Sequence, residues 1–157
     1  MGNLPEPMTT EPKWLTADQQ LVWRAFLDGI AYVNERLEDE LRPFGLDLGE
    51  YEILVRLSES PDHQLRMSDL AGQARQSRSR LTHTITRMER KGLVCRTACP
   101  VDRRGVIAAM TPAGYRLLKL AAPFHVESVR RVLVDPIAPE DFECLGRAMR
   151  SVLDAVD

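Results

Sequence analysis

Residues 68–110 read SDLAGQARQSRSRLTHTITRMERKGLVCRTACPVDRRGVIAAM, and this stretch decides the fold. Its first part predicts a short helix over 68–74 and a turn at Arg75-Gln76, after which Ser77 can cap a second helix. The second helix has one narrow apolar stripe, formed at i, i+4 and i+7 by Leu81, Ile85 and Met88. Two short helices joined by a tight turn predict a helix-turn-helix.

The spacing of apolar residues is no longer helical after Gly92. Short runs that contain β-branched residues follow at 93–99 and 106–110, and Asp102 and Gly105 between them favour a type I turn. These residues predict a β-hairpin, called the wing below. When a wing follows a helix-turn-helix, the second helix fits the DNA major groove and basic side chains of the wing reach the neighbouring minor groove.

The positive charge of the chain is concentrated in this same stretch. The 157 residues include 21 Lys and Arg and 23 Asp and Glu, a net charge of −2. Residues 66–104 alone contain ten basic and three acidic residues, a net charge of +7, which leaves −9 for the remainder. A cationic surface on an otherwise acidic protein favours a polyanionic partner. A solvated basic face without a partner is the alternative.

The face of the second helix opposite the apolar stripe carries small polar and basic side chains. At about 100° per residue, this face consists of Ser79, His83, Thr86 and Arg90, flanked by Arg80 and Arg87. Such side chains suit base edges and phosphates. An ordinary exposed helix face would mix both signs of charge, whereas this one has an acid only near its edge, at Glu89.

Two helices are predicted before this stretch. Thr16 with Gln19 forms a capping box, and apolar residues then recur at steps of three and four until Pro43. A further helix is predicted from Asp47 to Ser60. The chain before them, residues 1–15, is interpreted as a flexible tail.

Two helices are predicted after it. One begins at Thr111-Pro112 and contains Pro123, which should kink it or break one hydrogen bond, and the other follows Pro139. The first helix and the last two have more apolar positions than one small lobe can cover, which indicates self-association. The predicted fold is mainly α with a small β-hairpin wing: a dimerisation helix at 16–46, a winged helix-turn-helix lobe at 47–111 and C-terminal dimerisation helices at 112–157.

The joint spacing of several motifs resembles a known family. RMERKGLV at 87–94, DRRG at 102–105 and TPAG at 111–114, together with SRSRL at 77–81, look like the MarR family of bacterial and archaeal transcriptional regulators. The resemblance extends from about Thr16 to the C-terminus. It implies an obligate dimer with intertwined terminal helices and two winged lobes that bind a palindromic site in double-stranded DNA. Half-sites about one helical turn apart, roughly 34 Å, are expected.

The resemblance also implies residue roles. The recognition residues of the family fall on 77–87, the arginine at the wing tip on Arg104, and the aspartate that orients the wing on Asp102. The resulting candidate DNA-binding residues are Ser68, Arg75, Ser77, Arg78, Ser79, Arg80, Thr82, His83, Thr86, Arg87, Asp102, Arg103 and Arg104. The expected function is a sequence-specific repressor, released from DNA by a small-molecule effector.

The resemblance further implies an aromatic or phenolic effector between the dimer helices and the DNA-binding lobe. Trp23, Phe44 and Tyr51 are the candidate lining residues, and Arg42 is the candidate partner for a carboxylate. Trp14 and Arg24 are further possibilities. Taken singly, each aromatic residue is equally well interpreted as ordinary core.

Two other functions stay open. A winged helix can bind an acidic protein instead of DNA, although such a module has no need of the DRRG motif at 102–105. A cysteine-based redox regulator is the second alternative, because Arg96 could lower the pKa of Cys95 or Cys99. On one strand these two cysteines would lie roughly 13 Å apart, too far for a disulfide or a shared zinc ion. Cys144 is expected in the core or an interface.

No catalytic motif is recognisable, and the three histidines have no neighbouring cluster of metal-ligating residues. An enzyme, a metal site and a cofactor are therefore not expected. The N-terminal residues lack the apolar run of a signal peptide, so we expect a cytoplasmic protein without a membrane partner.

Overall fold

The computed structural model describes residues 11–99, 102 and 105–155. Its helices are α1 (Ala17–Leu41), α2 (Leu48–Glu59), α3 (Met67–Gln73), α4 (Arg78–Arg90), α5 (Pro112–Val129) and α6 (Pro139–Asp154). Its strands are β1 (Gln64–Arg66), β2 (Val94–Ala98) and β3 (Val106–Met110). Short 3₁₀ turns lie at Arg42–Phe44 and Pro61–His63, and a π-helical segment lies at Arg130–Val134. The predicted fold class, mainly helical with a small wing, is confirmed.

The predicted helix starts are confirmed by the hydrogen bonds of their capping side chains. Ser77 Oγ accepts from the N–H of Arg80 at 3.2 Å, and Thr111 Oγ1 accepts from the N–H of Gly114 at 3.1 Å. The capping box predicted at the start of α1 is present, and α2 also begins with a capping box, formed by Asp47 and Glu50. Pro123 does not end α5, which continues to Val129.

The strand β1 is not predicted by its own sequence. It has only three residues and forms because Leu65 pairs with Ala108 of β3. The strands form an antiparallel sheet in the order β1-β3-β2, in which the wing pairs Val94 with Met110 and Ala98 with Val106. β1 therefore connects the wing directly to the segment that enters α3.

The helix-turn-helix and the sheet share one apolar core. Leu54 and Leu57 of α2, Leu70 of α3, Ile85 of α4 and Ala108 of β3 are completely buried in it. Burial of one such leucine or isoleucine side chain stabilises the fold by about 1.5–3 kcal/mol. The core thus fixes α4 and the wing on one support.

The start of α5 lies against the junction between α4 and β2. Gly92 ends α4 with a φ of 71°, the left-handed conformation that glycine adopts without strain. Thr111 Oγ1 donates to the carbonyl of Gly92 at 2.7 Å, and Thr111 N donates to the carbonyl of Leu93 at 3.0 Å. A Cβ atom on Gly114 would lie 2.2 Å from the Leu93 carbonyl oxygen. Close backbone contact explains why glycine occupies position 114.

The chain divides into two compact units between Tyr32 and Val33, inside α1. In the first unit, α1 exposes a set of large apolar side chains: Leu21, Val22, Trp23, Phe26, Leu27 and Ile30. In the second unit, α5 and α6 expose another set: Leu120, Phe124, Val126, Phe142, Val152 and Leu153. These helices are the ones for which the sequence predicts self-association. None of the helices in the described part of the chain has the length and hydropathy needed to cross a membrane.

Candidate nucleic-acid interface

The helix α4 presents its predicted recognition face to solvent. Leu81, Ile85 and Met88 are at most 1% exposed and pack into the core, which confirms the predicted stripe. Ser79 and His83 on the other side of the helix are exposed. Because the stripe is buried, the orientation of the exposed face is fixed by the fold.

Ser68 and Arg75 lie at the two ends of α3. Ser68 is exposed, and its hydroxyl donates to Asp69 Oδ1 at 3.1 Å. Arg75 has a φ of 48° in the turn before α4, a left-handed conformation that costs a non-glycine residue about 1–2 kcal/mol. Ser68 lines a cavity with Arg78 and Thr82, and Arg75 lines another with Arg80 and His83, so each lies beside α4.

The structure divides the basic residues of the cationic stretch into two groups. Within the described residues, four exposed guanidinium groups have no hydrogen-bond or ion-pair partner: Arg75, Arg78, Arg80 and Arg90. Four other basic residues form ion pairs with carboxylates of the chain: Arg66, Arg87, Lys91 and Arg96. The first group therefore keeps all its donors for an external acceptor such as phosphate.

Arg87 is held by two carboxylates at the start of α2. Its Nε donates to Glu50 Oε1 at 2.7 Å, and its Nη2 donates to Asp47 Oδ2. Lys91 Nζ donates to Glu50 Oε2 at 2.6 Å and to the carbonyl of Gly45 at 2.8 Å. The sequence pattern places Arg87 on a DNA-facing flank, but its guanidinium is already paired within the fold. Contact between Arg87 and DNA stays a prediction.

Glu50 is the buried centre of this network, with 0% of its surface exposed. Burial raises the pKa of Glu50, but hydrogen bonds from Arg87, Lys91 and the backbone of Asp47 lower it, and the net result is a pKa below the usual value. The carboxylate is therefore ionised at neutral pH. It attaches the second half of α4 to the start of α2.

Arg96 of β2 attaches the wing to α4. Its backbone N donates to Glu89 Oε1 at 2.9 Å, and its Nη2 donates to Glu89 Oε2 at 2.5 Å. The same Nη2 donates to Thr86 Oγ1 at 3.2 Å. Sequence reasoning missed this pair as a structural element of the site. Its opposite charges are visible in the sequence, but their contact depends on how β2 leaves α4.

Thr82 and Thr86 use their hydroxyl hydrogens inside α4. Thr82 Oγ1 donates to the carbonyl of Arg78 at 2.8 Å, and Thr86 Oγ1 donates to the carbonyl of Thr82 at 2.9 Å. A hydroxyl has a single hydrogen, so in this arrangement neither can donate to a phosphate oxygen. The oxygen and methyl group of the exposed Thr82 suit base edges, where amino groups donate and thymine presents a methyl group, whereas Thr86 is half-buried and its oxygen already accepts from Arg96.

The base of the wing is closed by Asp102 and Gly105. Gly105 N donates to the carbonyl of Asp102 at 2.9 Å, and Cys99 N donates to the carbonyl of Gly105 at 2.9 Å. A Cβ on Gly105 would lie only 2.9 Å from the Cβ of Cys99. Asp102 Oδ2 also lies 3.9 Å from Nη1 of Arg66, at the end of β1. The predicted wing arginines at positions 103 and 104 lie outside the described residues.

The candidate effector residues have different surroundings. The rings of Phe44 and Phe124 lie 5.4 Å apart between centroids, and those of Tyr51 and His125 lie 4.2 Å apart. Burial lowers the pKa of His125 and raises the pKa of Tyr51. The other two candidates contact residues of α1. Arg42 forms an ion pair with Asp39. Trp23 lies in the first compact unit, where its ring stacks with the ring of Phe26.

The cysteines are all free thiols: Cys95 and Cys144 are exposed, and Cys99 is buried. Of the two places expected for Cys144, the core is excluded because α6 has no buried residue, and a position in an interface stays a prediction; Arg147 Nη2 donates to Cys144 Sγ at 2.9 Å. Over residues 11–99, 102 and 105–155, no three His, Cys, Asp or Glu side chains are grouped so that they could hold a metal ion.

The proteins described next are similar to this chain, and all are transcriptional regulators. The model of the MarR family matches residues 46–106. AbsC, a MarR family transcriptional regulator from Streptomyces coelicolor, is 46% identical and superposes with a TM-score of 0.88 over 92% of this chain and 98% of its own. Sco3205, another from that organism, has a structure in complex with DNA and is 42% identical, with a TM-score of 0.89 over 92% and 91% of the chains. The transcriptional regulator MhqR of Bacillus subtilis (strain 168) is 23% identical over 76% of this chain and 81% of its own.

The two Streptomyces relatives match this chain over nearly their entire length, at identities where fold and family are shared. The motif at 87–94 lies at the end of α4 and the start of β2, and the motif at 111–114 lies at the start of α5. The chain belongs to the MarR family of transcriptional regulators.

Proposed function

We propose that the chain is a homodimeric repressor that binds an inverted repeat in double-stranded DNA through α4 and the wing. The observation that carries this proposal is the group of unpaired guanidinium groups, at Arg75, Arg78 and Arg80, beside the exposed Ser79 and His83. The structure of the 42% identical Sco3205 in complex with DNA supports it. The activity is binding rather than catalysis, and it places the protein in the cytoplasm with the DNA.

Self-association follows from the exposed apolar faces of α1, α5 and α6. Many large apolar side chains exposed on the same few helices favour an interface. We assign the contact to residues 16–46 and 112–157. A two-fold dimer presents two copies of α4, so each would read one half of an inverted repeat with half-sites roughly 34 Å apart.

An aromatic effector would release the repressor from DNA. The aromatic cluster of Phe44, Tyr51, Phe124 and His125 joins α2 and its preceding turn to α5. The Nδ1 atom of His125 is buried without a hydrogen-bond partner among the described residues, so a polar group of an effector could bind there. A ligand at this place would alter the position of the DNA-binding lobe relative to the dimer helices.

The direct test is selection of bound fragments from genomic DNA by the purified protein, combined with sedimentation. We expect a dimer and an enriched inverted repeat. A monomer at micromolar concentration, or the absence of any enriched sequence at low ionic strength, would contradict the proposal.

Base-reading and phosphate-binding residues should differ in their mutant effects. Ser79→Ala and His83→Ala should change the ranking of operator variants by about 1–3 kcal/mol at single base pairs. Arg80→Gln should weaken binding to every sequence alike and lower the slope of log Kd against log salt by about 0.9 per contact. Fluorescence anisotropy with a panel of duplexes measures both effects, and Arg56→Gln on α2 is the control, because Arg56 forms only an exposed ion pair with Glu52. Unchanged rankings in the first two variants would refute their base-reading role.

A further inference from the structure

A cavity of about 340 Å³ lies between the helix-turn-helix and the base of the wing. Three elements contribute its polar lining: Arg66 and Ser68 from the junction of β1 with α3, Arg78 and Thr82 from α4, and Asp102 from the wing. This junction exists only because β1 pairs with β3. Arg66 is the first basic residue of the cationic stretch 66–104, but it is not among the candidate DNA-binding residues that the sequence predicts.

The charges of the cavity suit a single phosphodiester. Among the described residues that line it, the ionisable groups are two guanidiniums and one carboxylate, a net charge of +1. Arg66 Nη1 lies 3.9 Å from Asp102 Oδ2, beyond hydrogen-bond distance, so Arg66 keeps N–H donors for a second acceptor. Arg78 has no side-chain partner among the described residues.

The position of the cavity indicates which part of the DNA would bind there. In the proposed complex, α4 enters a major groove and the wing reaches the next minor groove. The sugar-phosphate strand that separates two such grooves must cross the protein surface between these two elements, where the cavity lies. A phosphate there would accept from both guanidiniums, and guanidinium groups match phosphate oxygens in geometry and charge.

We propose that Arg66 and Arg78 form a phosphate-binding site for the DNA strand that passes between α4 and the wing, with Asp102 holding Arg66 in place. This proposal rests on the proposed function, since it assigns a backbone contact within the same DNA complex. It adds Arg66 to the DNA-binding surface and assigns it a sequence-independent contact.

The test is the salt dependence of binding to a labelled mixed-sequence duplex, measured by anisotropy over about 50 to 200 mM salt. Arg66→Gln and Arg78→Gln should each lower the slope by about 0.9 for every lobe bound and weaken binding roughly tenfold. Arg66→Lys keeps the charge and should retain the slope. Arg56→Gln on α2, where Arg56 forms an exposed ion pair with Glu52, should match the wild type in both quantities, and thermal unfolding checks that each variant is folded.

The possible results distinguish failure of the phosphate-binding site from failure of the proposed DNA binding. An unaltered slope for Arg66→Gln, in a protein whose wild type binds the duplex, would overturn the site and leave DNA binding intact. A loss of affinity in both Arg66→Gln and Arg66→Lys without a change of slope would mean that Arg66 only positions the wing through Asp102, and it would also overturn the site. Failure of the wild type to bind any duplex would remove the proposed function itself.

Discussion

Gly114→Ala is expected to lower the free energy of unfolding by at least about 3 kcal/mol. The added Cβ would lie 2.2 Å from the carbonyl oxygen of Leu93 and 3.1 Å from Cγ of Met110. The nearest atom belongs to the backbone, so no side-chain rotation relieves the overlap. The start of α5 would have to move away from β2, and the two hydrogen bonds of Thr111 to Gly92 and Leu93 would lengthen or break.

Urea unfolding followed by circular dichroism measures this loss. Gly72→Ala is the matched control, because Gly72 is a helical glycine with no atom within 4 Å of an added Cβ. That substitution should stabilise the protein by up to about 1 kcal/mol through helix propensity. All variants must be compared at one protein concentration, since the proposed self-association would contribute to stability. A Gly114→Ala protein within about 1 kcal/mol of the wild type would show that α5 is less tightly placed than the contact indicates.

The elements that the sequence predicts correctly are those with a local signal. The stripe of Leu81, Ile85 and Met88 repeats with the helical period, and the caps at Ser77 and Thr111 depend on residues three positions away. Such patterns are set by the geometry of a single helix. They were sufficient to place α4, the wing and the start of α5.

The contacts that the sequence does not predict join residues that are distant along the chain. β1 exists because Leu65 pairs with Ala108, and the bond between Arg87 and Glu50 joins residues 37 positions apart. From the sequence, Glu50 is only a residue near the start of the helix predicted at Asp47, and Arg87 is only a basic residue beside the predicted recognition face. Charge counting therefore overstated the number of free cations, because it cannot distinguish a paired guanidinium from an unpaired one.

Glu50→Gln is expected to lower the free energy of unfolding by about 2–3 kcal/mol at pH 7. The carboxylate is buried and accepts from Arg87, from Lys91 and from the N–H of Asp47. A neutral amide cannot form the charge-assisted hydrogen bonds that the carboxylate forms with Arg87 and Lys91. In addition, its NH₂ group would face one of these N–H donors. The loss stays below that of a fully buried ion pair, because Arg87 and Lys91 are partly exposed and can be hydrated instead.

The effect should depend on pH in a defined direction. The pKa of Glu50 in the folded protein lies below its ordinary value of about 4.5, so the unfolded state takes up the proton first as the pH falls. The stabilisation by Glu50 is therefore complete above about pH 4.5 and disappears as the pH drops through the lower folded value. The stability difference between wild type and Glu50→Gln should be constant near neutrality and shrink in acid.

Urea titrations of both proteins between neutral and acidic pH measure this difference. Glu52→Gln on the same helix is the control, because Glu52 forms only an exposed ion pair with Arg56, at 3.6 Å. Removal of such a pair should cost no more than about 0.5 kcal/mol at any pH. If the Glu50→Gln difference equals that of the control, or does not shrink in acid, the ionised carboxylate does not hold α4 against α2. The apolar stripe of α4 and the remaining pair of Arg87 with Asp47 would then be sufficient to fix this helix.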